Sequence, residues 1–65
     1  MIGYIARDKS NQLYIHPTLP VYDDENEWWW SNDDAFAVKD EWFEGAEDIK
    51  FEHGPIKVEL NLKVI

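Results

Sequence analysis

Ile56, Val58, Leu60, Leu62 and Val64 alternate with Lys57, Glu59, Asn61 and Lys63, nine positions of strict period two near the end of a 65-residue chain. Successive side chains of a strand point to opposite faces, so this pattern predicts a half-buried strand over residues 56–65, aliphatic row inward and charges in water. A helix would scatter the same residues around its axis. A sheet has to be assembled around this strand, and its partners must come from the short apolar runs upstream.

Those runs are separated by turn chemistry. Residues 2–7, with Ile2, Tyr4 and Ile5, read as a first strand. Asp8-Lys9-Ser10-Asn11 is a polar cluster suited to a tight turn, and residues 12–16 follow with Leu13 and Ile15 opposed in phase to Gln12, Tyr14 and His16. The two runs predict a hairpin with a loop of about four residues. Pro17 and Pro20 then break the pattern, because proline removes a ladder donor and fixes φ. Trp28-Trp29-Trp30 reads as a middle strand with Trp28 and Trp30 on one face and Trp29 on the other.

Residues 33–44 admit two readings. As a helix, Ala35, Val38 and Trp42 would form a stripe and Gly45 would lie at the C-terminal cap, but Asp40, Glu41 and Glu44 would crowd the negative end of the macrodipole. As a strand over residues 35–38 followed by a single helical turn at residues 40–44, that conflict is absent. The second reading is preferred. Residues 48–52 form a candidate short strand, and His53-Gly54-Pro55 a turn. The fold class expected is mainly β, a single small domain spanning residues 1–65 with four to six short strands and at most one short helix. An α+β fold with a helix near residues 33–44 is the alternative. The expected core is Tyr4, Leu13, Ile15, Trp28, Trp30, Phe36, Phe51, Val58, Leu60 and Leu62, with Trp29 partly exposed.

Charge and aromaticity coincide. Twelve of the fourteen acidic residues, all four tryptophans and all three phenylalanines lie between positions 23 and 52, where only Lys39 and Lys50 oppose them, a formal charge of −10. Such a segment buries one set of groups and hydrates the other, which yields an acidic face on an aromatic core. With no cysteine, no disulfide can compensate for a core that supplies only about 3–5 kcal/mol at this size. Aromatic burial or self-association must do so, and a homo-oligomer is one expectation. The edge of the C-terminal strand is the place for it. A net charge of −8 disfavours direct contact with nucleic acid and with anionic lipid. No apolar stretch approaches the about 20 residues of a membrane span, and no signal-peptide pattern opens the chain. A cytoplasmic protein is expected.

Catalytic motifs are not seen. His16 and His53 have no cysteine partner and no H-E-x-x-H spacing, and both read as surface imidazoles. Ser10 and Ser31 lie in polar turns without G-x-S-x-G. Asp23, Asp24, Glu25 and Glu27 are contiguous where a calcium loop needs alternate ligands and a central glycine. No catalytic, cofactor-binding or metal-binding residue is assigned, and no enzyme is expected.

In general pattern the chain resembles small uncharacterised proteins encoded by phages and prophages of gut bacteria. The resemblance rests on Gly3-Tyr4-Ile5-Ala6-Arg7-Asp8-Lys9, on Leu13-Tyr14, on the tryptophan-rich middle and on Phe51-Glu52-His53-Gly54-Pro55-Ile56-Lys57-Val58-Glu59-Leu60. It implies an accessory protein directed at a host, in the host cytoplasm, and transfers no functional residue. The function expected is a non-enzymatic protein-interaction module that binds a host protein through Trp29, Trp42, Asp23, Asp24, Glu25, Glu27, Asp33 and Asp34. Mimicry of a nucleic acid towards a host DNA-binding enzyme, and a homo-oligomeric structural role, are the alternatives.

Overall fold

A computed structural model describes residues 1–42 and 44–59. It is a small, mainly β fold. Among the described residues six short strands form two antiparallel sheets, β1 (Ile2–Arg7), β2 (Leu13–His16), β3 (Val21–Asp23), β4 (Trp28–Trp30), β5 (Phe36–Val38) and β6 (Ile56–Glu59). Between β5 and β6 the described residues form three single-turn 3₁₀ helices, η1 (Asp40–Trp42), η2 (Ala46–Asp48) and η3 (Phe51–His53). The preferred reading of this region holds, with a strand at Phe36–Val38 and one turn at Asp40–Trp42, and no α-helix occurs among the described residues. No helix among them is long and apolar enough to cross a membrane.

The larger sheet has the order β5-β2-β1-β6, and β3 and β4 pair separately as a hairpin. The β1–β2 loop spans residues 8–12. The Asp8 amide donates to the Gln12 carbonyl at 2.8 Å and the Asn11 amide to the Asp8 carbonyl at 2.9 Å. Asn11 takes φ 81°, a left-handed conformation that Asn tolerates better than most residues. The acidic run is the β3–β4 turn. Asp23 Oδ1 accepts the amides of Glu25 at 3.0 Å and Asn26 at 3.3 Å, and Asp23 Oδ2 accepts Asn26 Nδ2–H at 2.8 Å. Asp23 thus shapes the turn through the side-chain-to-backbone bonding that favours aspartate there.

Directly paired residues share a sheet face, so the register sorts the side chains. Ile5 pairs with Ile15, and Leu13 with Val38, placing these on one face. Ala46 and Ile49 of the 3₁₀ segment cover them, and Val58 packs against the same cluster. Tyr4, Ala6, Tyr14 and His16 lie on the opposite face. The β3–β4 hairpin meets β1 through β4 and forms a second layer beside this face. His16 is only 2% exposed. Its assignment as a surface imidazole is corrected for that reason, while His53 is exposed as expected.

The expected core is corrected at three further positions. Trp28, Trp30 and Phe36 are exposed, at 45%, 51% and 62%. The alternation in β4 was read correctly, but Trp29 is the ring that turns inward. Its neighbours are Tyr22 and Phe51, with ring centroids 5.3 Å and 6.5 Å away. Phe36 belongs to β5, an edge strand among the described residues, and has too little above it to be covered. Leu13, Ile15, Val58, Phe51 and Tyr4 are buried or partly buried. Leu60 and Leu62 lie outside the described residues, as does the expected continuation of the last strand over residues 60–65.

The strand expected over residues 48–52 is replaced by η2 and η3. The carbonyls there are engaged by a side chain instead of a neighbouring strand. Arg7, 5% exposed, donates from Nε to the Ile49 carbonyl at 2.6 Å, and from Nη2 to the Ala46 carbonyl at 2.9 Å and to Asp40 Oδ2 at 3.0 Å. Nη1 donates to the Asn11 carbonyl at 2.9 Å. A buried guanidinium is tolerated only when paired and hydrogen-bonded in this way.

Candidate functional site

The β3–β4 hairpin has two unlike faces. Tyr22 pairs with Trp29, and these two rings meet Phe51 of η3 on the inner side. Val21 pairs with Trp30, and Asp23 with Trp28, on the outer side. Val21, Trp28 and Trp30 are all exposed. Directly below them in the chain is the acidic turn, so that a depression of about 480 Å³ is lined by Val21, Tyr22, Asp23, Asp24, Glu25 and Trp30. Hydrogen bonds from Asn26 and from the amides of Asn26 and Glu25 hold the Asp23 carboxyl below the usual carboxylate range.

The structure thus gathers Asp23, Asp24, Glu25 and Glu27 of the expected interaction residues on one hairpin. Trp28 and Trp30 are exposed, while Trp29 is partly buried. Asp33 and Asp34 are exposed in the loop after Trp30, where Ser31 Oγ donates to the Asp33 carbonyl at 3.1 Å. Trp42 is 61% exposed but belongs to η1, whose packing neighbour is η2. It forms a separate surface feature.

A second depression, of about 180 Å³, is lined by Asp8, Tyr14, His16, Trp28, Trp29, Trp30 and Ala35. Sequence reasoning missed it. Asp8 had been read only as a turn former, and His16 as solvated. Asp8 Oδ1 accepts the Trp29 amide at 2.9 Å, which ties the hairpin to the end of β1. The Lys9 amide to the Glu27 carbonyl, at 3.4 Å, is a second tie. Burial raises the Asp8 pKa, against the opposing effects of the Trp29 amide and the His16 charge. Burial lowers the His16 pKa, against the attraction of Asp8.

His16 Nδ1 lies 3.0 Å from Ser31 Oγ. The other ring nitrogen, Nε2, is buried with no partner among the described residues. Trp29 Nε1–H is likewise buried and unpartnered. Asp, His and Ser occur together here, but not as a nucleophilic triad. Asp8 makes no hydrogen bond to either imidazole nitrogen among the described residues. No group of three or more His, Cys, Asp or Glu among the described residues is placed to hold a metal ion.

No known family model, curated protein or solved structure matches this chain.

Proposed function

We propose that this chain is a non-enzymatic, cytoplasmic interaction module that captures a basic protein surface with the outer face of its β3–β4 hairpin. The resemblance to phage accessory proteins supports a host factor as that partner. One observation carries the reading. Val21, Trp28 and Trp30 stand exposed on the outer face of a hairpin whose inner face is packed through Tyr22, Trp29 and Phe51. Packing fixes the hairpin, so its anchors are presented with little ordering cost on binding. Exposed tryptophans of this kind supply most of an interface's energy, and the carboxylates of Asp23, Asp24, Glu25 and Glu27 surround them as a charged rim. A chain of net charge −8 steers towards cationic surfaces and accelerates encounter.

Affinity capture from a bacterial lysate tests this, with wild type beside Trp30→Ala and beside a variant with Asp24→Lys and Glu25→Lys. A partner lost in Trp30→Ala, and captured more slowly and with altered salt dependence by the charge variant, supports the module. Retention unchanged in both variants overturns it. Release of the partner by excess duplex DNA would transfer the reading to nucleic-acid mimicry.

A further inference from the structure

Register sets what stands on the outer face of the β3–β4 hairpin. Val21 pairs with Trp30 and Asp23 with Trp28, and directly paired residues share a face. Three exposed apolar side chains, Val21, Trp28 and Trp30, therefore lie beside a carboxylate. The depression against Trp30 is lined on its apolar side by Val21 and continues onto Asp23, Asp24 and Glu25. Asp23 is held in its charged form by the Asn26 side chain and by the Asn26 and Glu25 amides. Asp24 and Glu25 are exposed, and their carboxylates take no part in the bonds of the turn.

We infer that this face takes an arginine side chain of the partner protein, its aliphatic stem against Val21, its guanidinium plane against the Trp30 ring and its N–H fork towards Asp23, Asp24 and Glu25. The inference rests on the reading of the hairpin as a protein-binding face and names the side chain that such a partner presents. Alternate residues of a strand, which share a face, are about 7 Å apart. Three methylenes carrying a terminal cation can span that step from Val21 to the acidic turn. A guanidinium is planar, stacks on an indole ring, and has five N–H donors that suit several carboxylate oxygens at once. A lysine ammonium is compact and more strongly hydrated, so it keeps more of its water at an open site of this kind. An anion is repelled by the turn. A second copy of this chain cannot supply the group, because its single arginine, Arg7, is buried and engaged by Asn11, Asp40, Ala46 and Ile49. Two chains of net charge −8 also repel each other.

Two-dimensional NMR titration of the full chain tests the inference, with the blocked peptide acetyl-Gly-Gly-Arg-Gly-Gly-amide as probe and its lysine and citrulline counterparts beside it. Citrulline keeps the shape of arginine and lacks its charge. The arginine probe should shift the Trp30 indole N–H and the amides of residues 21–25 saturably, and leave the inner Trp29 indole in place. The lysine probe should bind about threefold more weakly, and the citrulline probe more weakly still. Trp30→Leu keeps an apolar side chain and removes the ring. Asp24→Asn with Glu25→Gln removes two charges whose carboxylates hold no part of the turn. Each of these variants should weaken the arginine probe about threefold. Equal affinity for the arginine and lysine probes, equal affinity for arginine and citrulline, unchanged affinity in either variant, or shifts confined to Trp42 would overturn the arginine site. A partner captured through Trp30 that is held as well after the arginines of its contact segment are changed to lysine removes the arginine site and keeps the module. Saturable arginine binding at Trp30 with no captured partner does the reverse.

Discussion

Asp8 and Trp29 are joined across 21 positions of chain by a 2.9 Å hydrogen bond from the Trp29 amide to the Asp8 carboxylate, and this bond docks the hairpin onto the four-stranded sheet. The same residue lines the depression shared with Tyr14 and His16. Asp8→Ala should therefore loosen the hairpin, whereas Asp8→Asn should not. Hydrogen exchange of the Trp29 amide checks this, with protection lost in the first variant and kept in the second.

Arg7 is the residue on which the 3₁₀ segment depends. Its guanidinium donates to three carbonyls and one carboxylate. Arg7→Ala leaves those acceptors without their donor, at a cost of about 3 kcal/mol. That is most of what a domain of this size holds, so the variant should be only marginally stable, with a urea midpoint close to zero denaturant. Arg7→Lys keeps the charge but not the fork, and should recover only part of the loss. Urea titration followed by tryptophan fluorescence separates the three proteins.

Trp29 and Trp30 are neighbours with opposite roles. Trp29→Ala removes the ring that packs on Tyr22 and Phe51 and should cost about 3 kcal/mol. Trp30→Ala removes an exposed ring and should cost less than about 1 kcal/mol. Urea midpoints that fall equally in the two variants would contradict the assigned faces of β4.

Gly54 and Gly45 both have positive φ, but they differ in ψ. Gly45, at φ 86° and ψ −2°, is left-handed helical, a conformation that Asn also adopts. Gly54, at φ 69° and ψ −160°, lies where essentially only glycine goes. A Cβ there would meet the Trp29 ring at 3.5 Å, an ordinary contact, so the penalty is conformational and not steric. Gly54→Ala should cost about 1–3 kcal/mol, and Gly45→Asn distinctly less. Thermal melts of the two variants decide it.

Acid should weaken the fold through His16 before it acts on any paired carboxylate. Burial lowers the folded-state pKa of His16, so the unfolded chain, near 6.5, takes up the proton first. Stability is retained above that value and is lost progressively as the pH falls below it towards the folded-state value. Asp8 acts in the opposite sense. Its pKa is raised, so its contribution is present below 3.8 and is lost as the pH rises through the folded-state value. Asp23 has a lowered pKa, and its contribution is lost as the pH falls below 3.8. Urea midpoints measured from pH 7 to 5 should decline, and a His16 ring resonance that titrates at or above 6.5 would contradict the buried, neutral imidazole.

The parts of the fold legible in the sequence are those set by neighbours in the chain. Asp8 to Asn11 announces the first hairpin, the tryptophan triplet its strand, and the clustered acids after Val38 the failure of a helix. The parts that were not legible depend on distant partners. Nothing near Ala46 or Ile49 signals that an arginine from β1 will engage their carbonyls and turn an apparent strand into 3₁₀ turns. Nothing near Trp28 shows which side of β4 will meet Phe51. The acidic half of the hairpin face was readable from composition, while the second depression was not, because it exists only where Asp8, Tyr14 and His16 come beside the triplet.

The order of strands in the larger sheet has a consequence for how the chain is made. β1 is made before the other described strands and lies between β2 and β6, and its pairing with β6 joins Ile2 to Glu59. The first hairpin can close early, but one side of β1 waits for nearly the whole described chain to be synthesised. Long-range closure of this kind is slow, and an unpaired strand is open to wrong partners while it waits. Ribosome-bound chains that stop before β6 should therefore remain protease-sensitive, with the native sheet completed only after that strand has cleared the exit tunnel.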